Sequence, residues 1–153
     1  MEDLIAWAER LGLRSATQRD DDLVHLVDDD VSFSIALHHD MFPVEAAVQD
    51  QPRIVLGVFE DVEDARRFLT MELGALLRKR ERMPRLAASD LPPGFVLEQA
   101  PTALWLSWFT GSAEFPQGER MRAVNFSRVE RAPLDQIESS FLAPNGSPLY
   151  AAA

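Results

Sequence analysis

Apolar residues recur along this chain with two different periods. Over residues 2–11 they stand at Leu4, Trp7, Ala8 and Leu11, one face of a helix, with Glu2 and Asp3 at its positive end and Gly12 placed to close it at C′. A helix this short must dock to persist. The next two runs, Leu23–Val27 and Val31–Leu37, are strand-like, the second alternating at period two. They are bounded by Asp20-Asp21-Asp22 and Asp28-Asp29-Asp30, a pattern that predicts a β-hairpin with acidic ends. Further strands are expected over 44–48 and 54–59, the latter preceded by Pro52, where a strand begins without losing a ladder bond.

The strongest helical pattern runs from Asp61 to about Arg82. Val62, Ala65, Phe68, Leu69, Leu73 and Leu76 keep one face apolar, Asp61 is the N-cap candidate, and Arg78, Lys79, Arg80 and Arg82 suit the negative end. Residues 84–93 read as a connector closed by Pro92-Pro93-Gly94. Phe95–Glu98, Thr102–Phe109 and Met121–Ser127 are expected as strands, with Thr110–Gly118 as a loop. Within the middle one, Leu104, Leu106 and Trp108 share a face; Trp105 points the other way, and burial of both tryptophans is expected. A last helix opens at Pro133 and carries Leu134, Ile137, Phe141 and Leu142 at helical spacing. The fold class that follows is α+β: an antiparallel sheet packed by a long central helix and short N- and C-terminal helices, with residues 1–153 expected as a single domain.

Charge gives this scaffold a polarity. The net charge is −10, and residues 1–64 carry 16 acidic residues against 4 arginines, whereas residues 65–85 carry 7 basic residues against 2 acids. A negative field repels phosphate backbones and speeds encounter with a basic partner, so a protein is expected as partner rather than nucleic acid. There is no cysteine, which removes disulfides, thiolate metal sites and thiol nucleophiles. Acids where a signal peptide needs a basic n-region, and no apolar run near the ~20 residues of a membrane span, make a cytoplasmic location without membrane association the expectation.

Little chemistry is patterned for catalysis. His38-His39-Asp40 has ligand-type side chains, but neighbours on a strand point to opposite faces, and His25 alternates with apolar Val24 and Leu26. The Asp20–Asp22 stretch has neither the ligand alternation nor the glycine of an EF-hand loop. No serine sits in a nucleophile elbow, and the seven glycines form neither a P-loop nor a dinucleotide fingerprint. The expectation is therefore a non-enzyme without catalytic residues, cofactor or metal. Its carboxylates Asp20, Asp21, Asp22, Asp28, Asp29, Asp30 and Asp40 are expected to form a negative patch facing the partner, with Phe115 of the Glu114-Phe115-Pro116 stretch as an aromatic anchor.

Leu91-Pro92-Pro93-Gly94-Phe95-Val96-Leu97, the run Ser140-Phe141-Leu142-Ala143-Pro144-Asn145-Gly146-Ser147-Pro148-Leu149, and the opening Leu4-Ile5-Ala6-Trp7-Ala8-Glu9-Arg10 carry a resemblance. Together they resemble actinobacterial immunity proteins grouped as antitoxins of the tuberculosis necrotizing toxin type. The resemblance implies an inhibitor kept in the producing cell that binds and occludes a cognate toxin enzyme, in that family an NAD glycohydrolase. It assigns no inhibitory residue. The alternative is an acidic secretion-chaperone-like protein binding an exported effector, which predicts a homodimer with hydrophobic grooves.

Overall fold

A computed structural model describes residues 1–16 and 19–150; Thr17, Gln18 and Ala151–Ala153 lie outside the described residues. The elements in chain order are α1 (Glu2–Arg10), β1 (Arg14–Ser15), β2 (Asp22–Val27), β3 (Val31–Ala36), β4 (Phe42–Val48), β5 (Ile54–Phe59), α2 (Val62–Arg80), β6 (Val96–Gln99), β7 (Ala103–Trp108), β8 (Gly111–Pro116), α3 (Arg120–Val129) and α4 (Leu134–Leu142). The eight strands form one antiparallel sheet in the order β1-β2-β3-β4-β5-β8-β7-β6. The α+β architecture with a long central helix is as the periodicity predicts.

Helix α2 lies over β3, β4 and β5, and α3 over β7 and β8, while α4 packs on α2. Inward positions of every second residue, such as Val24, Leu26, Phe33, Ile35, Val44, Leu104 and Leu106, join Phe59, Phe68 and Phe126 in the core. A register shift between Val44 and Glu45 puts an extra residue in β5, so Ile54 and Phe59, of opposite parity, both turn toward the helices. α1 docks through Leu4 and Trp7, whose indole N–H donates to the Thr70 carbonyl at 3.1 Å. It ends at Gly12 with φ +89°: Leu13 N donates to Ala8 O and Gly12 N to Glu9 O, so glycine sits where the left-handed conformation is required.

Two expected elements are corrected. The segment expected as a loop, Thr110–Gly118, contains β8, an interior strand paired to β5 on one side and β7 on the other. The segment expected as a strand, Met121–Ser127, belongs to α3, so the helices number four among the described residues. Ala123, Phe126, Ser127 and Glu130 are buried at helical spacing. Trp108 is buried as expected, but Trp105 is 40% exposed. All the sheet-packing helices occupy the opposite face, which leaves Trp105 between Glu98 and Glu114 on its neighbouring strands.

The two later stretches of the three that carry the family resemblance are structural. Phe95 follows Gly94 (φ +90°) and stacks at 5.6 Å on Trp108. In the C-terminal stretch, Ser140 Oγ accepts from Leu149 N and Asn145 Oδ1 from Ser147 N, while Tyr150 Oη donates to Asn125 O.

Beneath α3, Asp64 and Glu130 are both buried, and Glu130 Oε2 has no hydrogen bond. Burial and the neighbouring Glu130 push the Asp64 carboxyl up to about 6, against the pull of Arg67 at 3.1 Å. Since an unfolded aspartate titrates near 3.8, the fold holds the extra proton between roughly pH 4 and 6, and stability falls as pH rises through that window. Asp64→Asn is expected to flatten this slope and to raise the thermal midpoint above pH 6. Calorimetry from pH 4 to 8 checks it; an Asn variant less stable than the parent at pH 7.5 would refute it.

Candidate functional site

Strand pairing decides which carboxylates stand together. Asp20 and Asp21 precede β2, Leu37 N donates to Asp21 O, and Asp40 lies in the β3–β4 turn, where His38 and Met41 bridge. His39 and Asp40, the central residues of that turn, have φ of 50° and 62°, the left-handed pair a tight hairpin needs. Phe42 pairs with Phe59, so Glu60 and Asp61 emerge at the same edge of the sheet. Phe59 pairs with Ala113 in turn, which brings the β7–β8 turn, Phe109-Thr110, to that edge as well. Ser112 Oγ donates to the Glu60 carboxylate across the gap.

One rim of the sheet therefore carries Asp20, Asp21, Asp40, Glu60 and Asp61, all exposed, with Arg19 as a neighbouring cation. At its far end Phe109, on the tip of the β7–β8 hairpin, is 96% exposed. From β2 to β7 the rim crosses six strands, about 24 Å at the usual inter-strand spacing. Exposed Leu37 stands near its acidic end.

The remaining carboxylates of the expected patch are elsewhere or engaged. Asp28, Asp29 and Asp30 sit in the β2–β3 turn at the opposite end of the hairpin, about 17 Å away for a strand of this length. Asp28 also accepts from Asp30 N and Val31 N, each at 2.8 Å, and from Arg80 at 2.6 Å. Asp22 is buried: Arg53 grips both its oxygens at 2.9 and 3.0 Å, and Arg19 N adds a third bond. Burial by itself would raise the Asp22 carboxyl, but Arg53 and the Arg19 amide outweigh it and hold it below the ordinary aspartate range. The seven aspartates thus form two separate groups and one buried ion pair. Phe115 is corrected too, for it is fully buried in β8, edge-on to Phe59 and Phe68 at 5.9 and 5.7 Å. Phe109, six residues earlier, is the aromatic residue that is presented at 96% exposure, and its one signal in the sequence is its place at the end of an apolar run just before Thr110-Gly111.

No group of three or more His, Asp or Glu among the described residues converges as metal ligands, although the β3–β4 turn brings the rings of His38 and His39 to 4.1 Å. A groove of about 880 Å³ opens between β3–β5 and the C-terminal half of α2. Two of its polar groups are already occupied: Glu72 is bound by Arg122 Nε at 2.6 Å, and Arg78 donates only to backbone carbonyls. Burial raises the Glu72 carboxyl, with Arg122 opposing. The pair of crowded carboxylates, Asp64 and Glu130, lines neither this groove nor the smaller cleft between α1, α2 and α4. No helix of the described residues is long and apolar enough to cross a membrane.

The model of a family described as Immunity protein 61 matches residues 7–149. Among solved structures, Rv3902c from M. tuberculosis is similar, with a TM-score of 0.81 and 16% sequence identity over 99% of this chain and 93% of that one. At that identity the likeness is one of fold. No curated protein matches the chain. The immunity-protein resemblance read from residues 4–10, 91–97 and 140–149 is borne out by the family match.

Proposed function

Since the chain belongs to the Immunity protein 61 family, we propose that it acts in the cytoplasm of the producing cell by docking the acidic rim and Phe109 onto a cognate toxin and occluding its active cleft. The toxin, on the resemblance to antitoxins of the tuberculosis necrotizing toxin type, is an NAD glycohydrolase. The observation that carries the choice of surface is Phe109, a large apolar side chain held almost wholly in solvent by a two-residue turn between paired strands. Aromatic residues on rigid scaffolds anchor interfaces because they bury much area at little entropic cost. The carboxylates strung along the same rim steer a basic cleft mouth toward it, as a cleft that binds a pyrophosphate must have.

The product of the adjacent gene is the partner to test. Phe109→Ala is expected to weaken the complex by about 2 kcal/mol, mainly through faster dissociation. Asp20→Lys, Asp21→Lys and Asp40→Lys together are expected to slow association by about tenfold at low salt and to flatten its salt dependence. Surface plasmon resonance at two ionic strengths reads both effects. If neither variant changes its rate constant, the rim is not the interface. A toxin that goes on hydrolysing NAD in the saturated complex would overturn occlusion, and one that does not hydrolyse NAD when free would remove the proposed enzyme class.

A further inference from the structure

The groove beneath α2 has a charge opposite to that of the protein. Its floor is apolar, formed by Val31, Phe33, Val48, Ile54 and Leu56, with Leu76 of α2 as a wall. Val48 and Ile54 at its mouth remain 64% and 61% exposed although they project from the helix-covered face of the sheet. Around this floor stand Lys79, Arg82, Arg85 and Arg122, and among the described residues lining the groove Glu72 is the one acid, already paired with Arg122. Lys79, Arg82 and Arg85 are exposed, and no ion pair among the described residues engages them. On a chain of net charge −10 this is a local inversion of the field. Along the chain the neighbouring acids are Asp30 before Val31, Asp50 before Gln51 and Glu81 before Arg82, all exposed and outside the lining of the groove.

Arg82 adds a second observation. It occupies the C′ position of α2 with φ +57°, where Met83 N donates to Arg78 O at 2.8 Å and Arg82 N to Lys79 O at 3.3 Å. This is the glycine position of a helix stop, and α1 fills its own with Gly12. An arginine there is strained relative to glycine, and strain of this kind is retained where the side chain serves a purpose. The Arg82 side chain lines the groove.

We propose that the groove is a second binding site, for an extended peptide segment of a partner in which apolar residues alternate with carboxylates. Apolar side chains seat on Val48, Ile54 and Leu76, and carboxylates meet Lys79, Arg82 and Arg85. The alternation of an extended chain puts one class of side chain down and the other toward the rim. The site lies at the ends of β3, β4 and β5 opposite to the acidic rim, so it does not depend on the toxin-docking surface and both sites are open together.

The probe is a fluorescein-labelled octapeptide of alternating Leu and Glu, titrated with the intact protein and read by fluorescence anisotropy, beside the same peptide with Lys for Glu. Saturable binding of the Glu peptide that weakens with salt is expected, without binding of the Lys peptide. Lys79→Glu with Arg82→Glu is expected to raise Kd by about tenfold or more while leaving toxin inhibition unchanged. Arg82→Gly separates a structural role from a binding one: it relieves the left-handed strain and is expected to raise the thermal midpoint by about 2–4 °C while weakening the peptide severalfold. The proposal is overturned if the Glu peptide fails to bind at millimolar protein, if the Lys peptide binds equally, or if the charge variants bind as the parent does. Laurate filling the groove where the peptide does not, or a dimer in sedimentation that closes it, would assign another occupant and likewise overturn the proposal.

Discussion

Arg78→Met is expected to cost the fold about 3–4 kcal/mol, because removing the guanidinium strands backbone carbonyls worth roughly 1–3 kcal/mol each when buried without a donor. The side chain is 1% exposed and donates to Pro84 O at 2.8 Å, Phe141 O at 3.0 Å, Ala143 O at 2.7 Å and Pro144 O at 2.9 Å. No carboxylate joins it, and burial lowers its pKa without a compensating charge. What stabilises the cation is the convergence of carbonyl dipoles, including those at the negative end of α4. Methionine keeps comparable bulk, so the loss measured is one of hydrogen bonding more than of packing. Arg78→Lys should fall between, since an ammonium cannot span the same set of acceptors. Urea denaturation of the three proteins reads the differences from the midpoints at constant slope. A methionine variant within 1 kcal/mol of the parent would show that these bonds are readily replaced by water. Because the same guanidinium ties the end of α2 to Pro84 and to the end of α4, its loss should also loosen the wall of the basic groove.

Gly74→Ala is the second large effect, and its sign runs against propensity. In an exposed helix interior this change stabilises by about 1 kcal/mol. Here a Cβ on Gly74 would stand 2.4 Å from Phe141 Cγ and 2.7 Å from Phe141 Cβ. These atoms lie next to the α4 backbone and cannot swing aside, so the two helices must separate. Overpacking of this kind costs about 1–3 kcal/mol, and with an intrusion this deep the net result is expected to be a loss of about 2 kcal/mol. Phe141→Leu should be less harmful in the Gly74→Ala background than in the parent, a coupling that a double-mutant cycle in urea measures. An alanine variant at least as stable as the parent would disprove the interlock.

Gly74 and Phe141 meet across distant parts of the chain, whereas the parts of this fold that are legible in sequence are local. Gly12, the acidic first turn of α1, the cap at Asp61, which accepts from Glu63 N at 2.8 Å, and the basic last turn of α2 are local devices. Each acts over three or four residues, so each can be read from spacing. The β2–β3 hairpin is legible for the same reason, as two short apolar runs around an acidic turn. β8 is not. Gly111-Ser112-Ala113-Glu114-Phe115-Pro116 has weak strand propensity, and it is made a strand by β5 and β7 pairing with its two edges. As a loop the segment would present Phe115; as a strand it buries Phe115, and the Trp108–Gly111 register leaves Phe109 at the tip of the turn.

The binding surface follows the same division. The excess of acid in residues 1–64, the absence of cysteine and the immunity-protein stretches were fixed by the amino-acid order itself, since charge, composition and local turns need no partner at a distance. Which carboxylates are free was decided by the tertiary structure: Asp22 is consumed by Arg53 from 31 residues away, and Asp28 by Arg80 from 52. Strand pairing then sorted the others onto opposite ends of the sheet. It also gathered Lys79, Arg82 and Arg85 around an apolar floor supplied by β3, β4 and β5. Contacts of that length carry no periodic signal along the chain, because they are set by how whole elements pack and not by the spacing of residues within one.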